Sequence, residues 1–195
     1  MEKFHTLRSG NTFGARFWSD GKRIAPMLPE RPPFARCHDC HEVYALADAK
    51  EIGELPFAPD PIDPEWESAP FVSEPDEAAY YDAIAKSEST DGNYMRTLRI
   101  LTWWSRNDRY RVGDDAESRA DSDDPRWLEN AETLLEMPIQ DASDQFMKIE
   151  ILRQLGRHTE ALTQLGKIEG CEEIKRALRA LCESSDTKVR ELRFE

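Results

Sequence analysis

The sequence concentrates its reactive side chains in one short run, Arg36–His41, which holds two of the four cysteines and two of the four histidines of the chain. Cys37 and Cys40 are spaced as Cys-x-x-Cys, and a turn of this length lets two sulfurs converge on one metal ion. A structural zinc ion takes four ligands, and the usual second Cys-x-x-Cys pair is missing from the sequence. Histidines would then have to complete the site. The predicted zinc ligands are Cys37, Cys40, His41 and His5, with His38 as the alternative to His41.

Other kinds of chemistry fit the same run. Its letters also spell Cys-x-x-Cys-His, the attachment signature of a c-type haem, in which the histidine ligates the iron. Covalent haem attachment requires export, and the sequence shows no export signal. A thioredoxin-like redox pair would need a surrounding βαβ pattern, which is also missing. A structural turn without metal needs none of these conditions, and the sequence favours it narrowly over a zinc site.

A second cluster, residues 103–111, is the only place where aromatic and basic side chains concentrate. Stacking on nucleotide bases uses such groups. Nucleic-acid binding also needs a cationic surface, however, and the chain carries a formal net charge of -13 with a pI near 4.8. We interpret the cluster as a domain interface or a protein-partner site, with one tryptophan in the core and the other against the N-terminal module or the linker. Its predicted partner-binding residues are Trp103, Trp104, Arg106 and Arg109.

Three segments must position these clusters, and together they predict an α+β fold. Residues 1–55 are predicted to form a small antiparallel β module that carries the Cys-x-x-Cys knuckle. Phe13 and Phe17 lie in an alternating pattern, and the turn at residues 19–22 contains the glycine that a tight hairpin needs. Val43–Leu46 is predicted as a short strand that returns to this hairpin.

Residues 56–77 are predicted to form a proline-rich linker, called the acidic linker here. Six prolines interrupt it, and it contains seven acidic residues but no lysine or arginine. We predict a semi-extended segment that wraps around the protein rather than folding by itself. The arginines of residues 103–111 are expected to pair with it. Its acidic residues are Asp60, Asp63, Glu65, Glu67, Glu74, Asp76 and Glu77.

Residues 78–195 have a helical period and are predicted to form an all-α domain. Asp124–Pro125 is a strong start signal, because a capping residue is followed by proline at the first helical position. Leu155–Ala161 resembles the turn between the two helices of a tetratricopeptide repeat, where glycine closes one helix and alanine permits close approach of the next. An ordinary antiparallel helix pair is the alternative interpretation. A last short helix is predicted at residues 186–192.

The knuckle-bearing β module, the acidic linker and the tetratricopeptide-like half together resemble families of uncharacterised bacterial proteins that combine such parts. The resemblance brings no established activity with it. We predict a non-enzymatic adaptor or scaffold whose acidic surface receives a basic protein client. Two alternatives remain, an immunity-type or antitoxin-type inhibitor of a cationic toxin, and a cryptic or zinc-dependent enzyme.

Several absences narrow the function further. The sequence lacks a glycine-rich phosphate loop, a His-Glu-x-x-His motif and a Gly-x-Ser-x-Gly nucleophile elbow. No run of about eighteen apolar residues could span a membrane, and no apolar signal sequence follows Met1. We therefore expect a cytoplasmic protein that binds neither nucleic acid nor membranes.

Overall fold

The computed structural model of the chain describes residues 1–4, 9–55, 63–89, 91–111 and 124–193. A small antiparallel β region comes first and helices follow it, which confirms the predicted α+β layout. The strands of the described residues are β1 (Arg16–Trp18), β2 (Arg23–Ile24), β3 (Phe34–Arg36), β4 (Val43–Ala45) and β5 (Glu191–Leu192). Their α-helices are α1 (Pro64–Ser68), α2 (Glu77–Lys86), α3 (Gly92–Asn107), α4 (Pro125–Glu136), α5 (Ala142–Gln154), α6 (His158–Leu165) and α7 (Glu172–Glu183).

The β1–β2 hairpin forms where the sequence predicts it. Gly21 has a φ of +79°, a conformation that residues with a side chain rarely adopt, and its N–H donates to the Trp18 carbonyl oxygen at 2.9 Å. The Trp18 N–H donates to the Lys22 carbonyl oxygen at 3.0 Å and closes the turn. Because neighbouring residues of a strand face opposite sides, Trp18 is buried while Phe17 is exposed.

Strand β4 pairs with β3, so the predicted return of this strand to the first hairpin is wrong. Phe34 lies opposite Ala45, and Arg36 lies opposite Val43, in an antiparallel register. The loop of residues 37–42 joins the two strands directly, and this pairing closes a much shorter loop than a return to β1 would. The Phe34 ring is buried among side chains of α2 and α3, which attaches the two-stranded sheet to the helices.

Residues 191–192 form a strand and no helix covers residues 186–192, so the helix predicted there is wrong. Leu192 of β5 lies opposite Phe17 of β1 in an antiparallel pair, which makes a three-stranded sheet in the order β2-β1-β5. The Ser19 N–H also donates to the Arg190 carbonyl oxygen at 2.8 Å. Pairing with β1 overrides the local charge pattern, because strand formation depends strongly on tertiary context.

The described part of the acidic linker, residues 63–77, is partly folded. Helix α1 begins at Pro64, and Asp63 caps it by accepting a hydrogen bond from the Glu65 N–H at 2.9 Å. Helix α2 begins at Glu77, the last residue of the linker. The linker therefore contains a short helix of its own, in addition to extended segments. The division of the chain into three segments stays a prediction.

Helices α2 to α7 pack mainly against their neighbours in the chain. One buried cluster joins α5, α6 and α7 through side chains such as Ile149, Ala161 and Leu178. Another joins α3, α4 and α5 and contains Trp103 and Trp127. Successive helix pairs thus bury apolar surface, which is the main favourable contribution to folding. Among the described residues, no helix combines the length and the apolar character needed to cross a membrane.

Candidate functional site

The Cys37–His41 turn lies at the tip of the β3–β4 hairpin. The Cys37 N–H donates to the Glu42 carbonyl oxygen at 2.9 Å, and the His41 N–H donates to the Cys37 carbonyl oxygen at 3.0 Å. His41 has a φ of +62°, in the left-handed region that favours glycine. Cys37 is half-buried, Cys40 is exposed, and both are free thiols. The turn therefore presents a Cys-x-x-Cys pair on a closed backbone loop.

The backbone of this turn stabilises negative charge on the first cysteine. The pKa of the Cys37 thiol is lowered by a hydrogen bond from the Cys40 N–H, then by one from the Asp39 N–H and by the Cys40 side chain. Desolvation and the nearby carboxylate of Glu2 act in the opposite direction. Hydrogen bonds to a charged form favour that form, and the thiolate is the form of cysteine that attacks electrophiles and binds metals. Cys37 therefore has the chemistry of a nucleophile or of a soft metal ligand.

Contacts from outside the hairpin hold the turn in place. Glu2 accepts hydrogen bonds from the His38 N–H at 2.8 Å and from the Tyr44 hydroxyl at 2.6 Å. Burial, this hydrogen bond and the charge of Glu2 all raise the pKa of Tyr44, which keeps its proton as a donor. His38 Nε2 lies 2.8 Å from the Phe71 carbonyl oxygen, to which its Nε2–H tautomer donates. The N-terminal residues and the acidic linker therefore both clamp the turn.

Within the described residues, no ready set of zinc ligands is assembled at the turn. A closed structural site takes four ligands, and no group of three or more His, Cys, Asp or Glu side chains within the described ranges is arranged to hold a metal ion. Cys37 and Cys40 come together, whereas His41 does not join them in a ligand group. His5 lies outside the described residues. His38, the alternative ligand, is engaged with the linker backbone. A structural zinc ion at this turn stays a prediction.

A cleft of about 140 Å³ opens beside the turn, between the β3–β4 hairpin and helix α2. Acidic and basic side chains line it in pairs, Arg36 with Asp76 at 3.5 Å and Lys86 with Glu42 at 2.9 Å. The hydrogen bond to Glu42 and the charge of that carboxylate raise the pKa of Lys86. Because both pairs are exposed, each contributes little stability, and neither has the desolvated environment of a catalytic acid or base.

The two tryptophans of residues 103–111 are divided between the core and the N-terminal module, as the sequence predicts. Trp103 is 1% exposed, within the cluster shared by α3, α4 and α5, and its Nε1–H donates to the Gln154 side chain at 2.8 Å. The Trp104 Nε1–H donates to the Asp20 carbonyl oxygen at 3.0 Å. One ring therefore stabilises the helical core, and the other attaches the β1–β2 turn to α3.

Arg106 and Arg109 both bind Glu77, at the start of α2. Arg106 Nη1 lies 3.3 Å from one carboxylate oxygen, and Arg109 pairs with the other. Arg106 is 4% exposed, and its guanidinium lies 5.1 Å from the centre of the Trp127 ring, a cation–π contact. The predicted pairing of these arginines with the acidic linker is confirmed, since Glu77 belongs to it. All four residues of the predicted partner site contact their own chain, and a role in partner binding stays a prediction.

No family model, curated protein or solved structure matches this chain. The role of each cluster is therefore inferred from its own contacts, charge and exposure. The structure contains two further features that the sequence does not predict.

The first is a backbone pairing between the acidic linker and the β module. The Lys3 N–H donates to the Pro70 carbonyl oxygen at 2.8 Å, and the Val72 N–H donates to the Lys3 carbonyl oxygen at 2.9 Å. The Arg36 N–H donates to the Ser73 carbonyl oxygen at 2.9 Å. The linker thus bridges the N-terminus and β3 next to the cysteine turn. Nothing in the sequence signals this pairing, because backbone groups of any residue can form it.

The second is a buried ionic network that joins the β1–β2 turn, α5 and the C-terminal segment. The Glu150 and Arg153 side chains are both 0% exposed, and Arg153 Nη2 lies 2.5 Å from Glu150 Oε1. The Ser19 hydroxyl donates to the same Glu150 oxygen at 2.7 Å, and Arg153 Nη2 donates to the Lys188 carbonyl oxygen at 2.8 Å. The signal in the sequence is a Glu and an Arg three positions apart in the run Ile149–Arg153 of α5, whose other three residues are apolar. Complete burial makes this network a structural feature rather than a reactive site.

Proposed function

We propose that the chain is a non-enzymatic adaptor that binds a basic protein client through the acidic linker. The proposal is based on exposed carboxylates of the linker that lie next to a backbone held by hydrogen bonds. Asp63, Glu65 and Glu67 lie on or beside helix α1, and all three residues are exposed. The residues after α1 are fixed by backbone hydrogen bonds to Lys3 and Arg36. Carboxylates on a fixed frame suit a partner rich in Lys and Arg, because less conformational freedom is lost on binding.

The exposure of the paired side chains is consistent with a negatively charged protein surface. Six cationic side chains in described ion pairs are at most 13% exposed, against three carboxylates. The cations are Arg96, Arg99, Arg106, Arg111, Arg153 and Lys175, and the carboxylates are those of Asp20, Asp144 and Glu150. Within these described ion pairs, more positive than negative side chains fall below this exposure, in a chain of net charge -13. A field of this sign attracts cationic partners and is screened by salt.

We further propose that the helical half is a tetratricopeptide-like scaffold that supports the linker, and that the cysteine turn is a knuckle. Gly156 follows α5 with a φ of +73°, and Ala161 is fully buried where α6 packs on α5. These are the positions at which a tetratricopeptide repeat uses small residues. The amide hydrogen bonds to the Cys37 thiol support the knuckle. The helical half supports binding because Arg106 of α3 pairs with Glu77 and so holds the end of the linker in place.

A charge-reversal experiment tests the proposed binding surface. The probe is a fluorescent lysine-rich peptide, and its affinity for the full chain is measured by anisotropy at low and at high ionic strength. The double variant Glu65→Lys with Glu67→Lys is expected to weaken binding about tenfold at low salt, which corresponds to about 1.4 kcal/mol. High salt should weaken binding to the unaltered chain, because exposed charges are screened.

A matched control separates a defined surface from net charge alone. The double variant Glu173→Lys with Glu183→Lys makes the same change in net charge at two exposed positions of α7. We expect this variant to bind the peptide nearly as tightly as the unaltered chain. Equal weakening by the two double variants, or no binding of the peptide at all, would contradict a client site on the acidic linker.

A further inference from the structure

The two thiols of the Cys37–His41 turn are placed to be joined by a disulfide. The His41 N–H donates to the Cys37 carbonyl oxygen at 3.0 Å, so the backbone makes one helix-like turn between the two cysteines. In such a turn, Cα atoms three residues apart lie about 5 Å from each other. A disulfide spans Cα separations of roughly 4.4–6.8 Å. Both cysteines are free thiols, so neither is already engaged in another disulfide.

The other two cysteines of the chain do not share this arrangement. Cys171 precedes α7 and is exposed, whereas Cys182 lies near the end of the same helix and is buried. Eleven positions along a helix correspond to about 16 Å, too far for a disulfide. Burial raises the pKa of the Cys182 thiol, which keeps it protonated. Cys37 and Cys40 are therefore the pair that a small reagent reaches together.

The position of the turn favours reaction with solutes. Cys40 is exposed and Cys37 is half-buried at the tip of a hairpin. Glu2 and the Phe71 carbonyl oxygen hold the neighbouring His38, so the turn keeps its geometry while its thiols react. Disulfide exchange begins with attack by a thiolate, and the exposed tip of the hairpin allows a small disulfide to approach the pair.

We propose that Cys37 and Cys40 form a redox-active dithiol, which closes to an intramolecular disulfide by exchange with low-molecular-weight disulfides of the glutathione type. The dithiol lies at the tip of a β-hairpin and so differs from a thioredoxin-like pair, which belongs to a βαβ unit. It does not depend on the client site of the acidic linker, and either proposal can fail without the other.

The exchange takes two steps. In the first, the Cys37 thiolate attacks one sulfur of the small disulfide R–S–S–R, a mixed disulfide forms between Cys37 and R–S, and one R–S⁻ leaves. In the second, the Cys40 thiolate attacks the Cys37 sulfur, the Cys37–Cys40 bond forms, and the second R–S⁻ leaves. The two protons from the cysteines end on the two R–S⁻ groups. The dithiol loses two electrons, and the small disulfide gains them.

The test maps the disulfide on the full, unaltered chain. Reduced protein is incubated with oxidised glutathione, its remaining thiols are alkylated, and digested peptides are identified by mass spectrometry. We expect a Cys37–Cys40 disulfide, with complete loss of alkylation at both positions, and recovery of both thiols after treatment with excess dithiothreitol. A Cys171→Ser variant should give the same result, since Cys171 takes no part in the exchange.

Two variants resolve the order of the steps. Cys40→Ser is expected to trap the glutathione mixed disulfide at Cys37, because the second thiol is missing. Cys37→Ser is expected to lose the intramolecular disulfide completely. Both replace a thiol at the surface, and their thermal unfolding is compared with that of the unaltered chain. If either variant fails to fold, the disulfide mapping by mass spectrometry on the unaltered chain still tests the proposal.

Three results would overturn the dithiol. Both cysteines could stay open to alkylation at equilibrium with oxidised glutathione, or each could carry only a glutathione adduct. Metal analysis of protein purified without added zinc could find about one zinc ion per chain, held by these two thiols and blocking their reaction. Each of these results shows that the turn does not act as a dithiol–disulfide couple.

Discussion

The Asp20 carboxylate and the Arg111 guanidinium form an ion pair in which neither side chain is more than 4% exposed, although 91 residues separate them in the sequence. Asp20 lies in the β1–β2 turn, and Arg111 follows the 3₁₀ turn at the end of α3. The Asn107 side-chain amide donates to the same carboxylate at 2.9 Å. These contacts lock the first hairpin of the chain onto the end of α3.

Removal of the arginine from this pair should be costly. Arg111→Met leaves the Asp20 carboxylate buried without its counter-charge, with the Asn107 amide as a remaining donor. Loss of one partner of a buried ion pair typically costs 3–5 kcal/mol, because the other charge stays uncompensated. We expect the free energy of unfolding to fall by about this amount in urea denaturation at neutral pH.

An exposed ion pair provides the control for Arg111→Met. Arg16 binds Glu191 at 2.7 Å, with side chains that are 47% and 23% exposed. Arg16→Met should lower the free energy of unfolding by less than about 1 kcal/mol, since solvent screens an exposed pair. Equal losses in the two variants would show that burial of the Asp20–Arg111 pair does not determine its contribution.

The Ser19 hydroxyl is a second point at which distant parts of the chain meet. It donates to Glu150 at 2.7 Å and accepts a hydrogen bond from the Arg190 N–H at 3.0 Å. Ser19→Ala removes a donor from a buried carboxylate, and the expected loss of unfolding free energy is about 1–3 kcal/mol. Ser68→Ala, at an exposed position of α1, should change it by no more than about 0.5 kcal/mol. Urea denaturation checks both values, and an unchanged stability of Ser19→Ala would contradict the network.

The two adjacent tryptophans should differ in their effect on stability. Trp103 is 1% exposed, whereas Trp104 is half-buried against the β1–β2 turn. Trp103→Ala should lower the free energy of unfolding by about 3–5 kcal/mol, because it leaves a large cavity in the core. Trp104→Ala should cost less, since less of its surface is removed from water. Equilibrium unfolding compares the two variants, and the reverse order would show that Trp103 is not the core residue.

Local signals in the sequence predict much of the fold because each acts within a few residues. Gly21 permits the β1–β2 turn, and Asp124 with Pro125 starts α4 where the sequence predicts it. Gly156 ends α5 for the same kind of reason, since it takes a positive φ that other residues avoid. Amphipathic periodicity adds the helices between these signals.

Contacts between distant segments are what the sequence does not reveal. The pairing of Leu192 with Phe17 joins residues from the two ends of the chain, and no local pattern selects one strand partner over another. Arg106 is buried because Glu77 supplies a counter-charge and Trp127 supplies a ring face. At the cysteine turn, spacing predicts that the thiols of Cys37 and Cys40 converge, but it does not predict which other side chains approach them.

Asp124, which caps α4, should make stability depend on pH in the acid range. Burial raises its pKa, but hydrogen bonds from the Arg126 side chain and N–H outweigh this effect and lower the pKa below its ordinary value of 3.8. A carboxylate with a lower pKa in the folded chain stabilises the fold above pH 3.8, and this contribution is lost as the pH falls through the folded-state pKa.

Asp124→Ala should therefore lower the free energy of unfolding by about 0.5–2 kcal/mol at neutral pH and by less in acid. Asp124→Asn keeps a capping oxygen but no charge, so it should cost less at neutral pH. Urea denaturation across this pH range measures all three proteins, and a cost of Asp124→Ala that stays constant into acid would show that the charge of Asp124 does not stabilise α4.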